Sequence, residues 1–281
     1  MSQLIDGKKL AKEIRAELKL EVDELKKLGI NPKLAVILVG EDPASKVYVK
    51  NKSNACKKAG IEFEEYLLST NTSEEELFSL IKKLNGKDDV DGILLQSPVP
   101  KQININKAFS LISPEKDVDG FNPVNVGKLA IGEDAFISCT PYGIVKMLEA
   151  YDIDVEGKNV AILGRSNIVG KPLIQCMLKK NATVTVCHSK TKNIEEILKR
   201  SDVIISAIGK AKFVKQEMVK EGAVVVDVGI NRMDDGSLVG DVDFENVSKI
   251  ASFITPVPGG VGPMTIAMLI NNVVKAAKER K

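Results

Sequence analysis

Short apolar runs alternate along the chain with segments in which apolar residues recur at helical spacing. Continuous apolar runs are typical of strands buried on both faces of a sheet. The predicted strands are 33–39, 61–68, 92–96, 159–163, 183–187, 203–207 and 223–229. Strands that alternate with helices form βαβ units, which bind ligands at the carboxyl ends of their strands. The pattern predicts an α/β protein with two doubly wound domains, the second Rossmann-like, and a cleft between them.

Capping residues mark the ends of two predicted helices. Asp6 can cap a helix whose apolar positions follow helical spacing and which Gly29 would stop. Ser73 and Glu76 have the spacing of a capping box, for a helix that ends near Leu84.

The pattern loosens between residues 113 and 140, where prolines and glycines occur with no clear period. We interpret this stretch as the region between the domains. The first domain is expected to comprise residues 1–120, rejoined by the C-terminal helix of about 264–281, and the second residues 121–263.

The segment from Ser45 to Gly60 predicts a helix with one unusual charge. At helical spacing, one face contains Ser45, Tyr48, Val49, Lys52, Ala55, Cys56 and Ala59. Lys52 is the only charged residue on this face. If the face is packed, desolvation favours the neutral amine, which can act as a base. Alternatively, its stem covers apolar surface while the ammonium reaches water.

Composition narrows the class of protein. The chain has 281 residues, is 44% hydrophobic and carries a formal net charge of +2. This charge is too small to indicate a nucleic-acid partner, since the lysines are spread along the helices. No apolar run approaches the roughly 20 residues that span a bilayer, and the N-terminus lacks the pattern of a signal peptide. We therefore expect a cytoplasmic protein without membrane association.

The four cysteines are far apart and form no CxxC pair, which predicts neither a zinc site nor a disulfide framework. Asp117 and Asp119 flank a single valine. Such a pair can bind a metal, but no third ligand is evident nearby, and loop acids more commonly cap backbone amides. We therefore predict no metal site.

A loop that resembles a phosphate-binding loop follows the strand 159–163. Residues 164–170, GRSNIVG, lie between that strand and a helix start, where backbone amides and the helix dipole favour an anion. The spacing departs from GxGxxG, so a tight βα turn without a ligand is an alternative.

The next strand ends in CHSKT, residues 187–191, and lacks the acid that would bind the ribose hydroxyls of NAD. Hydroxyls and cations there, with Arg165, suit a 2′-phosphate and favour NADP over NAD. His188 is equally compatible with a surface position, and we assign it no catalytic role.

The loop PVPGG, residues 256–260, precedes an apolar helix. Its glycines permit a flat ligand to approach the backbone closely, or the loop is simply a hinge.

Together these segments resemble the bifunctional methylenetetrahydrofolate dehydrogenase/cyclohydrolase family. Seven motifs occur in the family's order and spacing, from one end of the chain to the other: SKVYVKNK, DGILLQSPVP, PEKDVDGFNP, CTPYGIVKML, GRSNIVGKP, CHSKT and PVPGGVGPMT. The resemblance implies an enzyme that oxidises methylenetetrahydrofolate to methenyltetrahydrofolate with NADP and hydrolyses this product to 10-formyltetrahydrofolate.

The resemblance also implies roles for individual residues. Tyr48 is similar to the residue that packs on the folate rings, Lys52 to the catalytic lysine of hydrolysis, Gln96 to its hydrogen-bonding glutamine and Asp119 to the pterin anchor. The folate slot would be lined by Pro258, Gly259, Gly260 and Val261. NADP would be held by Gly164, Arg165, Ser166, Ser189 and Ile230.

The family further implies a homodimer that forms through the second domain. The sequence departs from the family's usual motifs at Ser97, where QLP is common, and at Ser138, where a proline commonly precedes CTP. Two other functions stay open: an NADP-dependent dehydrogenase of a small acid that shares only the second domain, and a non-catalytic folate or nucleotide binder. Replacement of Lys52 distinguishes them from the bifunctional enzyme, since only that enzyme would need this lysine for hydrolysis.

Overall fold

The computed structural model describes residues 2–280, which form two compact units. One unit contains the chain up to Ala11 together with Cys139–Thr265, and we call it the six-stranded unit. The other contains Lys12–Ser138 together with the chain from Ile266 onward, and we call it the three-stranded unit.

The strands are β1 Gln3–Leu4, β2 Lys33–Val39, β3 Glu62–Leu68, β4 Gly92–Leu95, β5 Asn159–Leu163, β6 Thr183–Cys187, β7 Val203–Ser206, β8 Val224–Asp227, β9 Asn231–Arg232, β10 Leu238–Val239 and β11 Phe253–Ile254. The helices are α1 Gly7–Lys27, α2 Pro43–Ala59, α3 Glu74–Asn85, α4 Ile105–Leu111, α5 Pro123–Ala130, α6 Cys139–Ala150, α7 Gly170–Lys179, α8 Ile194–Lys199, α9 Phe244–Val247 and α10 Val261–Glu279. None of the helices within residues 2–280 is long and apolar enough to cross a membrane.

The sheet of the three-stranded unit is parallel, with the strand order β3-β2-β4. Its central strand β2 is buried from Leu34 to Val39, as its continuous apolar sequence predicts. Helix α3 covers this sheet with Leu77, Ile81 and Leu84, which share one helix face. The predicted capping box of α3 is confirmed, because Ser73 and Glu76 each accept a hydrogen bond from the other's backbone amide.

The larger sheet has the order β1-β11-β8-β7-β5-β6, and all of its strand pairs are parallel. Strands β7 and β8 are buried along their whole length, whereas exposed threonines alternate with half-buried valines on the edge strand β6. A two-stranded antiparallel hairpin, β9–β10, follows β8. The predicted α/β class with parallel sheets is confirmed.

The stretch 113–140 is more ordered than its sequence suggests. It contains a 3-10 turn at Pro114–Lys116 and the helix α5, which Asn122 caps by accepting a hydrogen bond from the Val124 amide. The apolar pattern does not predict α5, because this helix buries the polar Asn125 together with Leu129, while its apolar Val124 is exposed.

The unit boundaries also differ from the expected ones. Residues up to Ala11 belong to the six-stranded unit, because β1 pairs with β11 in its sheet. The other boundary falls between Ser138 and Cys139 rather than at residue 120.

Candidate active site and cofactor site

Helix α2 presents the predicted face. Its first turn is capped by the Asp42 carboxylate, which accepts a hydrogen bond from the Ser45 amide, and Gly60 ends it in a left-handed conformation. The buried residues of α2 are Ser45, Val49, Ala55, Cys56 and Ala59. Tyr48, on the same face, is 46% exposed. Its ring is therefore accessible to a ligand.

Lys52 lies on the same face, is half-buried and contacts Gln96. The Lys52 Nζ donates a hydrogen bond of 3.0 Å to Gln96 Oε1. Gln96 follows β4, is only 8% exposed and donates from Nε2 to the Ser97 carbonyl at 2.7 Å. Both polar ends of the amide are thus used, and its oxygen is fixed toward the lysine.

This contact follows from the strand order. Helix α2 comes after β2, and β4 is hydrogen-bonded directly beside β2. Parallel strands end at the same edge of a sheet, which is the edge where ligands bind. The fold therefore brings together two side chains that are 44 positions apart in the sequence.

The two neighbouring acids of the DVDG motif have different environments. Asp117 is 1% exposed and accepts hydrogen bonds from the Phe121 amide at 3.1 Å, the Asn122 amide at 2.8 Å and Asn125 Nδ2 at 2.9 Å. Burial raises the pKa of Asp117 to about 7. Asp119 is only partly buried. Asp117 therefore organises the loop, and Asp119 is the acid that a ligand can reach.

A residue of α10 that the sequence motifs do not indicate supports this loop. The buried Asn272 of α10 donates from Nδ2 to the Val118 carbonyl at 2.8 Å and the Ile137 carbonyl at 3.1 Å. A polar residue within an otherwise apolar helix was the available signal, since buried amides need partners.

Across residues 2–280, no group of three or more His, Cys, Asp or Glu side chains is arranged to hold a metal ion.

In the six-stranded unit, the loop after β5 turns sharply into α7. Gly164 has a φ of 112°, and a Cβ there would overlap the Ala207 carbonyl oxygen. Ser166 Oγ accepts hydrogen bonds from the Val169 amide at 3.2 Å and the Gly170 amide at 3.3 Å. Arg165 and Ser166 are exposed. The loop has the strand–turn–helix context of a phosphate site, and it places a cation and a hydroxyl at the helix start.

A tight turn follows β6. The His188 amide donates to Thr191 Oγ1 at 2.9 Å, and His188 Nδ1 accepts from the Lys190 amide at 3.2 Å. His188 thus stabilises the turn, while Ser189 and Lys190 are exposed. A hydroxyl and a cation with no acid beside them fit the 2′-phosphate of NADP, so the residues present suit this cofactor.

A cavity of about 200 Å³ joins two sets of predicted residues within this unit. Its lining includes Ile230, expected to contact the cofactor, and the whole segment Pro258–Val261, expected to contact folate. Gly259 has a φ of 111°, which favours glycine, and the helix α10 begins at Val261. Two buried acids were not singled out from the sequence: Asp227, which lines this cavity, and Asp241.

A parallel sheet with a glycine turn that opens into a helix defines the class of nucleotide-binding α/β proteins. Residues 138–281 match the NAD(P)-binding domain, and residues 5–119 the catalytic domain, of the tetrahydrofolate dehydrogenase/cyclohydrolase models. The chain belongs to the tetrahydrofolate dehydrogenase/cyclohydrolase family. The match to both domains excludes a dehydrogenase that shares only the second one.

Relatives resemble the chain over nearly its full length. The bifunctional protein FolD of Acetivibrio thermocellus is 56% identical over 277 residues, 99% of this chain and 97% of the relative. The crystal structure of the bifunctional FolD enzyme of Campylobacter jejuni has a TM-score of 0.99 and 52% identity, and covers 100% of both chains. The Trypanosoma brucei FolD structure, complexed with NADP and an inhibitor, has a TM-score of 0.94 and 37% identity, and covers 99% of this chain and 98% of that one.

Proposed function

We propose that the protein oxidises 5,10-methylenetetrahydrofolate to 5,10-methenyltetrahydrofolate with NADP and then hydrolyses this product to 10-formyltetrahydrofolate. The observation that carries the proposal is the hydrogen bond between Lys52 and Gln96 at the ligand-binding edge of the sheet. Membership of a family defined by these two activities supports it.

The oxidation requires orientation of two ligands. Loss of hydride from the methylene carbon leaves a cation shared by two nitrogens, so this step needs no proton acceptor. NADP, when bound, accepts the hydride. Arg165, Ser166 and Ser189 would hold its phosphates, with Gly164 giving the backbone close approach and Ile230 lining the cavity.

The hydrolysis requires a base. Water adds to the methenyl carbon, and a neutral amine within hydrogen-bond reach takes the proton that water loses. The bond between this carbon and N5 then breaks, and N5 takes the remaining hydroxyl proton, which leaves the formyl group on N10. We assign this role to Lys52. Gln96 orients the amine through Oε1 without adding a negative charge. A carboxylate at that position would favour the ammonium form and weaken the base.

The remaining site residues bind folate. Tyr48 offers an exposed ring on α2, one helical turn before Lys52, on which the flat pterin can stack. Asp119 would accept hydrogen bonds from the pterin nitrogens. Pro258, Gly259, Gly260 and Val261 would line the folate slot, where the glycines let the ligand approach the backbone.

We also propose that the enzyme acts in the cytoplasm as a homodimer that forms through the six-stranded unit. All four cysteines are buried and free, which suits a reducing compartment. The dimer is proposed on the family resemblance. Light scattering of the purified protein tests it, and a monomer mass at micromolar concentration would contradict it.

The activity is tested by absorbance. Purified protein is mixed with methylenetetrahydrofolate and NADP, and the methenyl product should appear and then decay. A parallel reaction that starts from methenyltetrahydrofolate without NADP isolates the hydrolysis. Absence of product in both reactions would favour the non-catalytic binder instead.

A further inference from the structure

Two buried carboxylates lie side by side at the carboxyl edge of the larger sheet. Asp227 is the last residue of β8, and Asp241 lies two residues after β10. They are 3% and 0% exposed. Because ligands of open parallel sheets bind at this edge, the loops that these acids hold are loops that can face a ligand.

Asp241 gathers the loop after β7. Its Oδ2 accepts hydrogen bonds from Ser206 Oγ at 3.1 Å, the Ile208 amide at 2.8 Å and the Gly209 amide at 3.2 Å. Its Oδ1 accepts from the Lys210 amide at 2.8 Å and from Asn231 Nδ2 at 3.1 Å. A carboxylate has about four lone-pair sites. Asp241 is therefore saturated, and its role is to hold these groups.

Asp227 holds the complementary segment. It accepts hydrogen bonds from the amides of Gly229 at 2.9 Å, Asp241 at 2.9 Å and Val242 at 2.8 Å. A Cβ on Gly240 would overlap the Asp227 carboxylate, and one on Gly229 would overlap the Asp241 carboxylate. The Asp227 carboxylate thus packs against Gly240, the residue before Asp241, and the Asp241 carboxylate packs against Gly229, two residues after Asp227. In both cases the absence of a side chain on the glycine leaves room for the carboxylate.

The two acids together hold both neighbours of Ile230. Asp227 fixes the Gly229 amide on one side, and Asp241 fixes the Asn231 side chain on the other. The Ile230 side chain itself is 50% exposed and lines the cavity shared with Pro258–Val261. A half-exposed isoleucine on a short connection needs such anchoring to keep one position.

We infer that Asp227 and Asp241 are positioning residues for the cofactor: they hold Ile230 and the loop 207–210 in the arrangement that receives NADP. The inference rests on the proposed function. It assigns these acids no contact with substrate and no step of the hydrolysis, for which the proposed base, Lys52, lies in the other unit.

The test measures binding and hydrolysis separately in the Asp241→Asn variant. NADPH is titrated into protein without folate, and its fluorescence gives the Kd. Methenyltetrahydrofolate hydrolysis is measured without any nicotinamide cofactor. An amide turns one acceptor into a donor that faces other donors, so at least one bond is lost. We expect the NADPH Kd to rise about tenfold or more, while the hydrolysis rate stays within about twofold of the unmodified enzyme.

Asp202→Asn is the matched control. Asp202 also accepts a backbone amide, from Asn159 at 2.9 Å, but it directly precedes β7 at the opposite edge of the same sheet. Its substitution should leave the NADPH Kd unchanged.

Asn231→Ala is a milder second variant, because it removes only the side chain that links the Ile230 segment to Asp241. It should raise the NADPH Kd several-fold without changing hydrolysis.

The outcomes separate the inference from the proposed function. If the unmodified protein binds no NADPH, the proposed function fails. If it binds NADPH and both Asp241→Asn and Asn231→Ala bind equally well, the positioning role is overturned. If both variants lose hydrolysis in parallel with NADPH binding, the acids are purely structural and the inference is again overturned.

Discussion

Replacing Lys52 with methionine removes the proposed base and leaves most of the packing in place. Methionine keeps an unbranched stem of similar length, so the apolar contacts of the lysine stem on α2 are largely retained. The substitution deletes the 3.0 Å hydrogen bond from Nζ to Gln96 Oε1. The bond from Gln96 Nε2 to the Ser97 carbonyl remains.

These contacts set the expected magnitudes. Loss of one partly buried hydrogen bond should lower the free energy of unfolding by about 1 kcal/mol. A positioned general base contributes about 10²- to 10⁴-fold to a rate, so hydrolysis should fall by that factor. Binding of NADPH should be unchanged, because the residues proposed to hold NADP belong to the other unit.

The assay follows the absorbance of methenyltetrahydrofolate after it is mixed with enzyme. Urea unfolding and NADPH titration of the same preparations report stability and cofactor binding. Lys50→Met is the matched control, since Lys50 is an exposed lysine on the same helix. It should leave all three measurements unchanged. A hydrolysis rate for Lys52→Met equal to that of the control would refute the role of Lys52 as the base.

Three further predictions concern the cofactor, the DVDG loop and pH. Ser189→Asp places a carboxylate where the 2′-phosphate is expected, so the ratio of kcat/KM for NADP over NAD should fall at least tenfold, and an unchanged ratio would contradict this placement. Asn272→Ala removes the buried donor to two carbonyls and should lower the unfolding free energy, measured in urea, by about 2 kcal/mol. Asn271→Ala, at a less buried neighbour, should not. Equal unfolding midpoints for the two variants would refute the role of Asn272 in supporting the loop. Burial raises the pKa of Asp117 to about 7 in the folded protein, against roughly 4 when unfolded. Its contribution to stability is therefore full below about pH 4 and is lost as pH rises through about 7. Asp117→Asn should flatten the dependence of the unfolding free energy on pH, measured in urea, and an unchanged dependence would rule the carboxyl out as its source.

Local sequence determined the secondary structure that supports the site. The apolar run of β2 predicts its strand to the residue, and the capping box of α3 is present as expected. The helix α2, with Gly60 as its stop, was also predictable. These features depend on neighbours within a few positions, so the chain carries their signals locally.

The tertiary structure decided which polar residues meet. The residue pattern alone leaves Asp117 and Asp119 equivalent, and the family resemblance singles out Asp119; the fold supplies the physical difference, because it buries Asp117 and leaves Asp119 partly exposed. The local pattern shows Lys52 only as one charge on a helix face; the resemblance implies Gln96 as its partner, and the order of the strands is what brings the two side chains together. The pairing of Asp227 with Asp241 left no periodic pattern. Such contacts form between distant segments that the sheet brings within hydrogen-bond distance, and their energies depend on that proximity and on burial rather than on local spacing.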